Sequence, residues 1–187
     1  MVISNALGLS KEYMDKKMEN ALVVVDATMG NGFDTLYLRS KLDEKAFLYA
    51  FDIQKTAIEN TKKRLIENKI YSNIKLINDS HVEFKKYIDK KVDLIVYNLG
   101  YLPKGDKNIT TLSESTLESI KNGMDILNYE GLIIITIYPG HIEGEKELNV
   151  ISKFLKSVDQ KNFEIMKMEF YNHINNPPVL YIIERKY

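Results

Sequence analysis

The chain has 187 residues and a mass of 21.7 kDa, with 44% hydrophobic and 28% charged residues. This length and composition predict one domain over residues 1–187 with a packed core, and they exclude a disordered or fibrous chain. Twenty-six basic residues balance twenty-six acidic ones, so a nucleic-acid partner would have to be held by a local basic patch rather than by net charge.

The N-terminal segment 1–19 is predicted to be a helical extension of this domain that lies outside the sheet. It lacks the basic start, apolar stretch and cleavage site of a secretory signal. The longest apolar run, 132–138, is far shorter than the roughly 20 residues needed to cross a bilayer. We therefore expect a cytoplasmic protein with no membrane partner.

The rest of the chain alternates between strand-like and helix-like segments. Apolar runs rich in β-branched residues predict five buried parallel strands, at 21–27, 46–53, 74–78, 92–99 and 132–138. Helical periodicity appears at 35–42, 56–69, 116–127 and 143–158. This order predicts an α/β fold in which helices cover both faces of a mostly parallel sheet.

Two further strand-like runs, 163–171 and 179–185, end the chain. The link between them, 172–178, is too short for the crossover that parallel strands require. The sheet is therefore expected to close with an antiparallel C-terminal hairpin.

Cysteine is absent from the sequence. Disulfides, thiolate zinc sites, iron–sulfur clusters and thiol nucleophiles are excluded for this chain. No helical or hairpin spacing brings two of the three histidines together, so we expect no metal site.

A glycine-containing turn follows the first strand. Gly30 and Gly32 allow the backbone to approach a ligand at the carboxyl edge of the sheet, where doubly wound folds bind their ligands. Thr35 stands where a dinucleotide-binding fingerprint would have its third glycine. Asp26 and Asp34 bracket the turn, and their charges would repel a pyrophosphate. The turn therefore favours a positively charged ligand.

Acidic residues also end the next two strands. Asp52 lies twenty-two residues after Gly30, the position of an acid that binds ribose hydroxyls, and Asp79 could accept from an adenine amino group. This set resembles the class I S-adenosylmethionine-dependent methyltransferases, whose Rossmann-like sheet has seven strands with the last one antiparallel. The resemblance implies S-adenosylmethionine as the cofactor, and its sulfonium and ammonium charges suit an acidic turn.

The fourth strand ends in a polar segment beside the expected sulfonium. Asn98 and Tyr101 are the candidate catalytic residues. The amide of Asn98 could accept a hydrogen bond from an amine and direct the lone pair towards the methyl group. The backbone at Leu99 and Gly100 would contribute further acceptors to the substrate. Tyr101 could stack on a base. Positioning would supply most of the acceleration.

Two more segments are expected to reach the substrate at this edge. Lys104 and Lys107 follow the fourth strand and could meet phosphates. The fifth strand ends at Tyr138, Gly140 and His141, which could wall a pocket for a flipped-out nucleotide.

Four segments narrow the resemblance: 26–35, 97–111, 138–147 and 175–184. Together they resemble a bacterial family of rRNA-methylase-like proteins associated with the aminomethyl wobble uridine of tRNA. The family implies methyl transfer to the amine of 5-aminomethyl-2-thiouridine, with tRNA as partner and a homodimer as the assembly. The resemblance also implies six cofactor contacts: Asn31, Phe33, Asp52, Gln54, Ser80 and His81.

Other functions are weighed against this hypothesis. Methylation of a pyrimidine ring carbon by thiolate addition needs a cysteine that the chain lacks, which leaves nitrogen or oxygen acceptors. Within the same class, the substrate could be rRNA or a small-molecule amine. From different classes, the chain could be an NAD-dependent oxidoreductase, which Thr35 and the acidic turn disfavour, or a binding module without turnover.

Overall fold

The computed structural model describes residues 4–70, 72–100 and 113–187. Its strands are β1 Val23–Asp26, β2 Phe47–Phe51, β3 Ile74–Ile77, β4 Val92–Leu99, β5 Leu127–Ile137, β6 Phe163–Met168 and β7 Val179–Arg185. Its helices are α1 Ala6–Met18, α2 Phe33–Lys41, α3 Lys55–Glu67, α4 Phe84–Tyr87, α5 Ser113–Ile126 and α6 Ile142–Ser157, with a short 3-10 helix at His81–Glu83.

All seven strands form one sheet in the order β3-β2-β1-β4-β5-β7-β6. The pairings among β1 to β5 are parallel, and β7 runs antiparallel to both β5 and β6. The predicted mostly parallel sheet with an antiparallel C-terminal strand is therefore confirmed.

The register of the central strands brings their carboxyl ends to one edge of the sheet. Asp26 pairs with Val96, and Asn98 lies two residues further along β4. Asn98 in turn pairs with Thr136 of β5, just before the segment that contains Tyr138. Because the order of the chain reverses between β1 and β4, this edge is the usual place for a ligand in an open α/β sheet.

Alternate residues along the strands enter two apolar clusters, one on each face of the sheet. Val25 and Ile95 belong to the cluster that also contains residues of α4, α5 and α6. Val24 and Leu94 belong to the cluster that contains residues of α1 and α2. This burial on both faces explains why the sequence shows continuous apolar runs rather than alternation. In the described ranges, no helix is long and apolar enough to cross a membrane.

Two features of the fold differ from the sequence-based expectation. β5 begins at Leu127, five residues before the predicted strand, and includes Glu130 with φ 56° and exposed residues that interrupt the apolar pattern. The 3-10 helix and α4 between β3 and β4 were not predicted, because neither is long enough to show helical periodicity.

Candidate active site

The turn between β1 and α2 approaches α3 closely. Gly30 and Gly32 both have positive φ, at 53° and 77°. A Cβ added to Gly32 would lie 2.9 Å from the Thr61 Cα, so this position has no room for a side chain. The Thr61 hydroxyl also donates to the Gly30 carbonyl at 3.2 Å. The turn is therefore held against α3, and the glycines adopt a backbone conformation that other residues rarely adopt.

Asp26 lies at the base of this turn and is 1% exposed. Its carboxylate accepts from the Thr35 hydroxyl at 2.6 Å and from the Thr28 N–H at 3.1 Å. Burial and, next in size, the charge of Asp34 raise the pKa of Asp26 to about 7, although the two hydrogen bonds act in the opposite direction. Thr35, which breaks the dinucleotide fingerprint, is thus the partner that this buried acid needs.

Asp52, just after β2, is half-buried and faces the same turn. Its two oxygens accept from the Gly30 N–H at 3.0 Å and from the Gln54 N–H at 2.9 Å. Burial raises the pKa of Asp52, and hydrogen bonds from the Gln54 and Gly30 backbone partly offset that shift. Each carboxylate oxygen keeps acceptor capacity after one such bond, so binding of a vicinal diol is compatible with this arrangement.

The three carboxyl groups at this turn suit a positively charged cofactor. Asp34 raises the pKa of Asp26 through its charge, and Asp52 adds a smaller effect of the same sign, so three carboxylates share one electrostatic environment. A bound positive charge would relieve this repulsion, whereas a pyrophosphate would add to it.

Phe33 and Asn31 form the outer rim of the turn. Phe33 is 64% exposed, and the Arg64 guanidinium lies 3.6 Å from the centre of its ring. Arg64 also donates through Nε to the Asn31 carbonyl at 2.8 Å, and the Asn31 side chain accepts from the Asn60 amide at 2.9 Å. Arg64, which lies on α3, therefore supports the rim of the turn.

The end of β3 carries a second polar group. Asp79 accepts from the Tyr87 hydroxyl at 2.6 Å, from Lys86 Nζ at 2.9 Å and from the Ser80 N–H at 2.8 Å. These hydrogen bonds, led by that of Tyr87, lower the pKa of Asp79 to about 2. Asp79 is therefore a permanently ionised acceptor that already has two side-chain partners, and its adenine role stays a prediction.

His81 is packed rather than available for proton transfer at neutral pH. Burial lowers its pKa to about 4, so the imidazole stays neutral. Its ring contacts the Tyr97 ring edge to face, with centroids 5.9 Å apart. Among the described residues, nothing bonds its buried Nδ1 atom. Ser80 accepts from the Val82 N–H and so begins the 3-10 helix that carries His81.

Asn98 stands at the end of β4 between the acidic turn and β5. Its backbone N–H donates to the Thr28 hydroxyl at 2.8 Å, and its Nδ2 donates to Asp34 Oδ2 at 3.0 Å. Its side chain also forms a hydrogen bond with Tyr138, which acts against the rise in the pKa of Tyr138 caused by burial and by Asp34. The structure thus joins the predicted amine-orienting residue to one predicted cofactor residue and one predicted substrate residue.

The remaining predicted substrate residues are distributed around Asn98. The Leu99 side chain is buried, so only its backbone could face a ligand. A Cβ on Gly100 would lie 3.7 Å from the Tyr138 ring, and one on Gly140 would meet nothing within 4 Å. His141 Nδ1 accepts from the Gly144 N–H at 3.1 Å, so His141 caps α6. Three further predicted residues lie outside the described residues: Tyr101, Lys104 and Lys107.

In the described part of the chain, no three histidine, aspartate or glutamate side chains are placed so that they could hold a metal ion together.

A family of known proteins matches the part of the chain that contains most of this site. The model of the family described as "Putative rRNA methylase" matches residues 48–184. The chain belongs to this rRNA methylase family. The family is one of class I S-adenosylmethionine-dependent methyltransferases, so the predictions of family, enzyme class and cofactor are confirmed.

Individual relatives also support the assignment of this chain to the rRNA methylase family. A chloroplastic tRNA (mnm5s2U34)-methyltransferase from Arabidopsis thaliana is 34% identical over 173 residues, which cover 87% of this chain and 63% of that protein. The crystal structure of a "putative rRNA-methylase" from Clostridium thermocellum matches this chain with 40% identity and a TM-score of 0.94. The match covers 99% of this chain and 100% of that one.

A third relative has a ligand. A methyltransferase from Streptococcus mutans, solved in complex with S-adenosylhomocysteine (SAH), is 33% identical, with a TM-score of 0.89, over 98% of this chain and 99% of that one.

The sequence analysis did not identify the roles that Thr28, Thr35 and Arg64 have in the site of this rRNA methylase family member. Thr35 had a signal, because the third position of a glycine fingerprint lies where the helix packs on the strand, and a hydroxyl there faces the buried acid. Arg64 had none, since it lies 33 residues from the carbonyl that it binds.

Proposed function

We propose that the protein transfers a methyl group from S-adenosylmethionine to the amine of 5-aminomethyl-2-thiouridine at the wobble position of tRNA. The product would be the methylaminomethyl form. The observation that carries the proposal is the position of Asn98, an amide held beside the three-carboxylate turn of a methyltransferase fold. The name of the Arabidopsis relative supports tRNA as the substrate class.

The chemistry asks little of this chain beyond binding and orientation. The cofactor, when bound, supplies an electrophilic methyl group on a positively charged sulfur. Asn98 would accept a hydrogen bond from the substrate nitrogen and hold its lone pair in line with the methyl carbon. With the cofactor bound, the nitrogen lone pair would form the new N–C bond as the S–C bond breaks. The electrons of the broken bond would stay on sulfur, and the product ammonium would release a proton to solvent.

The absence of cysteine supports a nitrogen acceptor over a pyrimidine ring carbon. His81 also does not supply an acid or base near neutral pH, since its pKa is about 4. The amine must therefore arrive neutral or lose its proton to water, and we expect the rate to rise with pH until the bound amine is deprotonated.

The test is reconstitution with defined RNA. The protein and S-adenosylmethionine are incubated with tRNA from cells that lack this gene, and the digested nucleosides are analysed by mass spectrometry. We expect 5-aminomethyl-2-thiouridine to be converted to its methylaminomethyl form. Unchanged nucleosides under conditions where SAH binding is measured by calorimetry would contradict the proposal.

A second candidate is methylation of rRNA, which the description of the family favours. Incubation of ribosomal RNA under the same conditions separates the two candidates. If rRNA is the substrate, a new methylated nucleoside would appear in the rRNA digest and not in the tRNA digest.

We also propose that the protein acts in the cytoplasm as a homodimer. A folded tRNA is large compared with a chain of 187 residues, and two subunits would provide a wider contact surface. Light scattering of the purified protein tests the dimer.

A further inference from the structure

The Asp34–Asn98 contact fixes the orientation of an amide inside the candidate active site. An ionised carboxylate can only accept hydrogen bonds, so the Asn98 group that faces Asp34 Oδ2 at 3.0 Å must be the NH2 group. The backbone of Asn98 is held independently, because its N–H donates to the Thr28 hydroxyl at 2.8 Å. The side chain therefore has one orientation rather than two.

The Asn98 side chain also forms a hydrogen bond with the Tyr138 side chain. Because Nδ2 is turned towards Asp34, the carbonyl oxygen Oδ1 is the part of the amide that faces away from that carboxylate. Oδ1 is therefore the atom of the amide that can accept a hydrogen bond from a ligand.

We propose that Asp34 is a positioning residue that turns the Asn98 carbonyl oxygen towards the methyl-acceptor atom. This inference rests on the proposed function and changes the role of Asp34, which the sequence had assigned to cofactor binding. An amide locked in this way accepts a hydrogen bond and cannot donate one. The site would then select an acceptor nitrogen that carries hydrogen, such as a primary amine, and would reject a ring nitrogen that has only a lone pair.

A reciprocal exchange of the two side chains tests the pair. Asp34→Asn allows the two amides to adopt competing orientations, and Asn98→Asp places two carboxylates at hydrogen-bond distance, where they repel. The double variant Asp34→Asn with Asn98→Asp restores a donor facing an acceptor and leaves a carboxylate oxygen for the substrate. Methyl transfer to tRNA is measured for all four proteins, with Asp89→Asn as a control that removes an exposed carboxylate before β4.

We expect each single variant to lower kcat by about 10- to 100-fold with KM for tRNA within about threefold, as for a lost orienting contact. The double variant should recover to within about fivefold of the natural protein, and Asp89→Asn should match it. Thermal unfolding of the same four proteins should show the same coupling without any substrate. Full activity in Asp34→Asn, or no recovery in the double variant, would overturn the proposal.

SAH binding separates this role from the earlier assignment and does not depend on turnover. By calorimetry, the SAH affinity of Asp34→Asn should stay within about threefold of the natural protein. A tenfold loss would mean that Asp34 contacts the cofactor directly, which would overturn the proposal. If the natural protein binds SAH and shows the unfolding coupling but does not methylate tRNA, the proposed function fails while the positioning contact stands.

A crystal structure of the natural protein with SAH gives a readout that needs no variant to fold. We expect the Asn98 amide to remain within hydrogen-bond distance of Asp34, with Oδ1 facing the space beside the cofactor sulfur. A structure in which Asp34 leaves Asn98 and binds the SAH ammonium group instead would overturn the proposal.

Discussion

Asp26 is a carboxylic acid whose charge depends on pH near neutrality. Its pKa of about 7 lies above the ordinary value of 3.8, chiefly because of burial and then because of Asp34. The folded chain therefore binds this proton more tightly than the unfolded chain does. The contribution to stability is fully present below the unfolded pKa, near 4, and is lost as the pH rises through about 7.

We predict that Asp26→Asn removes this pH dependence. The free energy of unfolding of the natural protein without cofactor should fall relative to that of the variant between about pH 4 and pH 7, by up to a few kcal/mol, since each unit of pKa shift corresponds to about 1.4 kcal/mol. Urea unfolding at several pH values measures both proteins. Parallel pH profiles would show that Asp26 keeps an ordinary pKa in the folded chain.

The sequence predicted where single residues of the site lie, but not which residues they form hydrogen bonds with. Asp26 and Asp52 could be placed at the binding edge, because the carboxyl ends of parallel strands converge there. The hydrogen bond between Asp34 and Asn98 could not be predicted, since 64 residues separate them and the contact depends on how the fold brings the start of α2 to the end of β4. The hydrogen bonds from Tyr87 and Lys86 to Asp79 could not be predicted either, because both donors lie on α4, a helix that the sequence pattern does not indicate.

At the scale of elements, the strands were predictable where they are buried and less so where they are exposed. The apolar runs of β1 to β4 and β7 agree with the observed strands within a few residues. The first part of β5 escaped prediction, because residues 128–130 are exposed and carry polar groups or a positive φ. Hydrophobic periodicity reports burial, so an exposed strand end has no signal to read.

The turn between β1 and α2 is the element whose shape the site depends on most. We predict that Gly32→Ala destabilises the protein by about 1–3 kcal/mol, because φ is 77° and the new methyl group would lie 2.9 Å from the Thr61 Cα. Denaturant unfolding measures the loss, and SAH calorimetry should show weaker binding.

Gly140→Ala is the matched control for this substitution. A Cβ at Gly140 meets nothing within 4 Å, and its φ lies outside the left-handed region, so its stability should change by less than about 0.5 kcal/mol. Equal losses in the two variants would show that the turn can relax around a side chain.

At the scale of the whole molecule, zero net charge means that RNA binding must come from one region. We predict that Lys104→Glu with Lys107→Glu weakens tRNA binding and lowers the dependence of log Kd on log salt concentration by about one to two units, while SAH affinity is unchanged. Filter binding at several salt concentrations measures the change.

Lys45→Glu with Lys90→Glu makes the same change of charge elsewhere. Lys45 and Lys90 are exposed and precede β2 and β4, so they lie at the edge of the sheet opposite the site. The five residues of β2 and the eight residues of β4 separate them from the site edge by roughly 17 and 26 Å. This variant should bind tRNA as the natural protein does. An equal loss of affinity in both variants would remove the segment after β4 from the RNA surface.

The position of β7 in the sheet affects how the chain folds during its synthesis. β7 lies between β5 and β6, although it is made after both. During synthesis on a ribosome, β6 would emerge without a hydrogen-bonding neighbour, and β5 would keep one bare side until residues 179–185 have left the exit tunnel. A chain interrupted before Val179 would leave one side of β5 and both sides of β6 without a neighbouring strand, which is a hazard for aggregation, so quality control should remove such fragments quickly.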